Sequence, residues 1–255
     1  MSINHVCSNC DNSFTGNFCN HCGQKTVHRI TMAHIGHDLV HAFTHTDKGF
    51  FHLMLQLFVK PGIVAREYIA EGKRKRYFSP FQYIIIIGAI GAFVAVNSHF
   101  IETTTQAIGG SAGYSAKQLA FTQKINTLQS RYYNFMILLQ LPFYALATLI
   151  IFRKHRFNYA EHLTLQTFIT AQTTIIAMLV MLTIFLLGKT GLYLAIIMSL
   201  LSTGFHVYAY SQFFKENKFK GILKGLFANI LGMFFFLVFI VLVITIYGLT
   251  SKTFF

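Results

Sequence analysis

The stretch GKRKRYFSPFQYIIIIGAIGAFVAV, residues 72–96, decides how this chain is read. Four adjacent cations, Lys73, Arg74, Lys75 and Arg76, are of the kind retained on the cytoplasmic side of a membrane. Tyr77 and Phe78 suit the headgroup zone, and residues 83–96 carry no charge. The junction predicts a chain that is wet before it and membrane-embedded after it. The four cations are expected at the membrane surface, against anionic headgroups.

Composition points the same way. Of 255 residues, 54% are hydrophobic and 11% charged, with a mean hydropathy of +0.51, whereas soluble domains carry about 25% charged residues. The formal charge of +13 raises the question of a nucleic-acid partner. The cations flank apolar segments rather than gather on one soluble face, so none is expected.

Apolar segments at about 81–100, 132–152, 163–187, 192–213 and 226–249 each approach the roughly 20 residues a helix needs to span the hydrocarbon. Five spans are predicted. Lys and Arg number nine in residues 1–80, three in the loop 153–162 and four in the loop 215–224, against five on the opposite side. That asymmetry places the N-terminus inside and the C-terminus outside. Residues 1–31 are polar and show no cleavable signal peptide. The predicted fold is an all-α membrane protein: a small N-terminal zinc ribbon (1–28), amphipathic juxtamembrane helices with the basic junction (29–80), and a five-helix transmembrane bundle (81–255).

Cys7, Cys10, Cys19 and Cys22 form C-x2-C-x8-C-x2-C, two knuckles that can each present a pair of thiolates to one tetrahedral ion. Gly23 permits the backbone turn a knuckle needs, and Gly16 and Asn17 supply a turn between the halves. Two disulfides, or iron in a rubredoxin-like arrangement, use the same residues. A reducing cytosol favours zinc. Four thiolates leave no open coordination position, so the ion is read as structural, and a segment this short needs it to fold.

From Ile30 to about Phe58 the pattern is helical, with Thr31 as cap. His34, His37, His41, His45 and His52 share one face at 100° per residue. His37, His41 and His45 have the i, i+4 spacing of a second metal site. No cluster of carboxylates accompanies the histidines, which favours the other reading, the polar face of an amphipathic helix lying on the membrane or against the bundle. Lys60, Pro61 and Gly62 break this helix, and a second one follows from Ile63 to about Ala70, with Arg66 and Glu67 in it. Both are expected to be interfacial.

Inside the spans, Gln166, Thr170, Gln172, Ser199, Ser202 and His206 form polar stripes in the third and fourth helices. Polar groups in lipid must find partners, so these face the interior, either as packing glue or around a cavity open to the cytosol. Ser199 and His206 share a helix face without a carboxylate partner, which falls short of a catalytic triad.

The segments NFCNHCGQK, HRITMAHIGHDLVHAFTHTDKGF, KPGIVAREYI and GKRKRYFSPFQ, in that order over about residues 1–95, resemble the bacterial membrane proteins grouped as the DUF3667 family, a domain of unknown function. The resemblance implies a ribbon-like N-terminus on a multi-pass inner-membrane bundle and no established activity. Its signature falls on Asp47, Lys48, Gly49, Pro61, Gly62, Arg66, Glu67, Tyr68, Gly72, Arg74 or Arg76, Tyr77 and Pro80. Two functional classes follow. One is a non-enzymatic membrane protein whose ribbon binds a protein partner or regulates the bundle. The other is a small transporter or channel using a cytosol-facing cavity between the third and fourth spans.

Overall fold

The computed structural model describes residues 4–26, 29–32, 49–98, 113, 115, 118, 122–125, 127, 131–187 and 192–251. An antiparallel pair, β1 (Asn4–Val6) and β2 (Ser13–Thr15), pairs His5 with Phe14 at the N-terminus. Helices follow: α1 (Gly49–Val59), α2 (Pro61–Ile69), α3 (Pro80–Asn97), α4 (Tyr133–Ile151), α5 (Tyr159–Leu187), α6 (Leu192–Phe214) and α7 (Lys218–Ser251). Single 3-10 turns, Arg74–Arg76 and Arg153–His155, precede α3 and follow α4.

The helix α5 is the axis. Residues 160–175 are buried without a break, as expected of a helix that lacks a distinct polar face. Its threonines cope by bonding back along the helix: Thr164 donates to the Ala160 carbonyl at 2.9 Å and Thr167 to Leu163 at 2.9 Å. Its start is fixed by a capping box. The Asn158 side chain accepts from the Glu161 amide at 2.9 Å, while the Glu161 carboxylate accepts from the Asn158 amide at 2.7 Å. Asn158 therefore opens the helix at Tyr159, four residues before the predicted 163.

The other helices divide α5 between them. Its C-terminal half is met by α3, with Tyr83 donating to Gln172 at 2.8 Å and Ala95 packed with Met181. Its N-terminal half is covered by α2, the end of α4, and α6. Six of the nine residues of α2 are buried, so this helix belongs to the packed body of helices. Gly62 makes that possible. A Cβ there would lie 2.2 Å from the Ala209 carbonyl oxygen and 2.5 Å from the Phe213 nitrogen, so the α2 backbone rests directly on α6. Arg66 and Glu67 gave α2 its polar look. Arg66 donates to the Phe213 carbonyl at 2.7 Å, satisfying the end of α6.

Among the described residues, four helical stretches are long and apolar enough to cross a membrane: Arg74–Asn97, Tyr133–Ile151, Tyr159–Thr183 and Phe219–Ile246. The fourth predicted span is also a helix, α6, but Ser199, Ser202, His206, Ser211 and Gln212 dilute it. The last helix starts at Lys218 rather than 226, adding a basic turn. The helix α1 is apolar but only 11 residues long. It runs from Gly49; His34, His37, His41 and His45 lie outside the described residues, as do Asp47 and Lys48.

Candidate metal centre

The two knuckles repeat each other at an interval of twelve residues. In the first, the Asp11 amide donates to the Cys7 carbonyl at 2.9 Å and the Cys7 amide to the Asn12 carbonyl at 3.0 Å. In the second, Gly23 donates to Cys19 at 2.9 Å and Cys19 to Gln24 at 2.8 Å. Both turns close through a left-handed residue, Asp11 at φ 58° and Gly23 at φ 72°. Gly23 is legible from sequence. Asp11 is the counterpart that sequence reading missed, and the signal was available, since Asp and Asn visit this region more readily than other side chains.

This backbone converges four sulfurs. Cys7 and Cys22 are 3.5 Å apart, Cys10 and Cys19 are 3.7 Å apart, and all four ligand atoms lie within 4.8 Å of one another. A tetrahedral ion with metal–sulfur bonds of about 2.3 Å requires sulfurs about 3.8 Å apart, so the set fits a metal. It does not fit disulfides, which need about 2.0 Å, and the four cysteines are free thiols. Desolvation of Cys19 is outweighed by the amides of Cys22 and His21, which bring its thiol down to about 6. The Asn12 amide favours the Cys10 thiolate, but desolvation and the three neighbouring sulfurs push that thiol up to about 12. Crowded thiols of this kind are what a cation relieves.

The ribbon is fastened to the helices at two points. Gln24, buried at 3% exposure, donates to the Gly72 carbonyl at 2.7 Å and accepts from the Lys75 amide at 2.8 Å. The residue that closes the second knuckle thus grips the basic junction. Further on, Arg29 holds Glu161 through two bonds of 2.8 and 2.9 Å, and Asn158 donates to the Ile30 carbonyl at 2.9 Å. The same Glu161 that caps α5 therefore anchors the ribbon.

At the junction the cations meet the chain's own groups. Lys73 pairs with Glu71 at 2.8 Å and Glu67 at 3.7 Å, Arg76 with Glu67 at 3.5 Å, and Arg74 sits 5.9 Å from the Tyr68 ring centre. Tyr77 also donates to Glu67. Tyr68 in turn packs edge-on against Phe168 of α5 at 5.4 Å. Of the residues singled out by family resemblance, Gly62, Arg66, Glu67, Tyr68, Gly72 and Tyr77 all join in seating α2 and this junction. His52 lies 6.5 Å from the Tyr77 ring, nearly parallel to it.

The predicted intramembrane stripe is not one site. Gln166 donates to Thr148 at 3.2 Å and accepts from Tyr210 at 3.0 Å, and His162 lies 3.0 Å from the same Thr148 hydroxyl. Gln172 belongs to a separate contact, with Tyr83 and with the Met54 carbonyl of α1 at 3.4 Å. His206 is bonded to the Ser202 carbonyl at 2.8 Å, and Ser199 is exposed. Two helical turns, about 10 Å, separate Ser199 from His206. Thr170 is buried, and its carbonyl accepts from Thr173 and Thr174. Tyr210, which shares the fourth-span stripe with Ser199, Ser202 and His206, completes the Gln166 network together with Thr148, which sequence reading did not single out.

Residues 47–91 match the family DUF3667, described as a protein of unknown function. The match falls on the segment that includes α1, α2 and the basic junction. No curated protein and no solved structure matches the chain.

Proposed function

We propose that this is a multi-pass protein of the bacterial cytoplasmic (inner) membrane, with five crossings, a cytosolic N-terminus and an external C-terminus. In this reading the ribbon carries a structural zinc ion and acts without catalysis, binding a protein partner or regulating the bundle. The fifth crossing is α6, whose polar His206 and Tyr210 are buried while Ile196, Ile197, Leu200 and Leu201 are exposed as a lipid-facing surface requires. Cys7, Cys10, Cys19 and Cys22 would hold the zinc, which supplies folding free energy rather than a reactive water.

The observation that carries the regulatory part is Gln24. Its backbone closes the second knuckle and its side chain grips Gly72 and Lys75, so loss of the knuckle loosens the segment that leads into α3. A transport path through the stripe is less well supported, because Gln166, Gln172 and His206 are bonded within the protein.

Metal analysis of the full chain should give about one zinc per molecule, lost in Cys19→Ser. Chelation in nanodiscs should then speed amide hydrogen exchange across residues 60–80 as well as in the ribbon. If the ribbon unfolds and residues 60–80 exchange as before, the regulatory reading is wrong.

A further inference from the structure

Between the ribbon and the turn joining α4 to α5 lies an open cleft of about 510 Å³, walled by Ser8, Glu71, His155, Arg156, Glu161 and Arg29. Its lining carries two guanidiniums, Arg29 and Arg156, and two carboxylates, Glu71 and Glu161. Both carboxylates are engaged, Glu161 with Arg29 at 2.8 Å and Glu71 with Lys73 at 2.8 Å. His155 faces Glu216 at 3.2 Å. Arg156 is exposed and has no ion-pair partner among the described residues. An uncompensated guanidinium therefore borders the cleft.

The backbone adds an independent observation. Arg156 has φ 57° and ψ 23°, a left-handed conformation at the end of a helical turn where glycine or asparagine is the usual occupant. The fold holds a long cation at a position that disfavours side chains. Such strain is a pointer to function when the residue also faces a cleft. The Arg156 carbonyl meanwhile accepts from Arg29, which ties this turn to the ribbon.

We propose that this cleft binds a phosphate group, carried by an anionic lipid headgroup or free in solution, with Arg156 as its principal contact. A guanidinium presents paired donors matched to phosphate oxygens, and it forms charge-assisted bonds there. The volume lies within the range of small-ligand pockets, about 300–1,000 Å³, leaving room for the rest of a headgroup. The lipid-borne form of the site rests on the topology proposed above, which places the cleft at the cytosolic leaflet where anionic lipids attract basic segments.

The test uses the full chain in nanodiscs and amide exchange of the cleft walls, residues 70–75 and 153–157. Inorganic phosphate is titrated at constant ionic strength into phosphatidylcholine discs, and separately phosphatidylglycerol is mixed into the discs. Protection by phosphate identifies a soluble anion, and protection by phosphatidylglycerol alone identifies a headgroup. Arg156→Gly should weaken either response about tenfold or more while raising the thermal midpoint, since glycine relieves the left-handed strain. That rise separates lost binding from lost folding. Lys154→Gln, a cation on the same turn outside the cleft wall, should leave the response within about twofold. No protection by either probe, or equal losses in the two variants, would overturn the proposal.

Discussion

Replacing Gly62 with alanine sets two effects of opposite sign against each other. By helix propensity the change stabilises α2, by about 0.5–1 kcal/mol. By packing it cannot be accommodated, because the new Cβ would lie 2.2 Å from the Ala209 oxygen, 2.5 Å from the Gln212 Cβ and 2.5 Å from the Phe213 nitrogen. Two of those three atoms are backbone, and separations near 3.5 Å are required, so α2 must back away from α6 by roughly 1 Å. Overpacking of this kind costs about 1–3 kcal/mol. The shift also breaks the Gly62 amide to Gln212 bond of 3.0 Å and strains the Arg66 to Phe213 bond of 2.7 Å, each worth about 1 kcal/mol or more. The expected net loss is about 3–4 kcal/mol. Gly204 is the control, since a Cβ there meets nothing within 4 Å, and Gly204→Ala should stabilise α6 by about 0.5–1 kcal/mol. Unfolding of both variants in mixed micelles, followed by helical circular dichroism, measures the difference. Gly62→Ala within about 0.5 kcal/mol of wild type, or no less stable than Gly204→Ala, would falsify the close seating of α2 on α6.

Further outcomes are expected. Gln24→Ala leaves the Gly72 carbonyl and the Lys75 amide without their partner, at a cost of about 1–3 kcal/mol, and should appear as faster exchange at residues 72–75 while zinc content is kept. Lys224, desolvation and His155 together set the Glu216 carboxyl, and the net effect lowers it below its ordinary value. The stability it contributes is therefore present above the ordinary carboxylate range and lost as pH falls through its lowered value, so Glu216→Gln should reduce thermal stability at pH 7 and make little difference in strong acid. For the histidine face, zinc above about one per chain that falls in His41→Ala would establish a second ion. An unchanged stoichiometry leaves it a polar helix face.

Much of this architecture is written locally, and those parts were readable. The C-x2-C pairs announce a knuckle because thiolate convergence is decided within four residues, and the long helices announce themselves by unbroken apolar runs. What escaped was decided by partners far along the chain. Arg66 looks like an exposed cation until the Phe213 carbonyl is placed beside it, 147 residues on. Gln24 reads as a surface amide because nothing near it predicts Gly72 and Lys75. Thr148 carries no pattern of its own and acquires a role only when α4 closes on Gln166. Of the polar stripe, Gln166, Thr170, Gln172 and His206 are buried while Ser199 is exposed, and periodicity alone could not divide it into separate contacts.

The seating of α2 also has a consequence in time. Its contacts reach from Gly62 to Gln212, across 150 residues, and the Arg29 to Glu161 pair spans 132. A ribosome adding about 5–20 residues per second needs roughly 8–30 s to supply the partner of Gly62 after Gly62 itself has emerged. During that interval α2 lacks the α6 surface it rests on, with Gly62 and Arg66 still without their partners Gln212 and Phe213 and the apolar face of Val64, Ala65 and Ile69 incompletely covered. The nascent chain must wait with apolar side chains and four thiols in reach of oxidants, chaperones and neighbouring chains. Early capture of a metal ion by the ribbon would remove one of those hazards long before α6 arrives to remove the other.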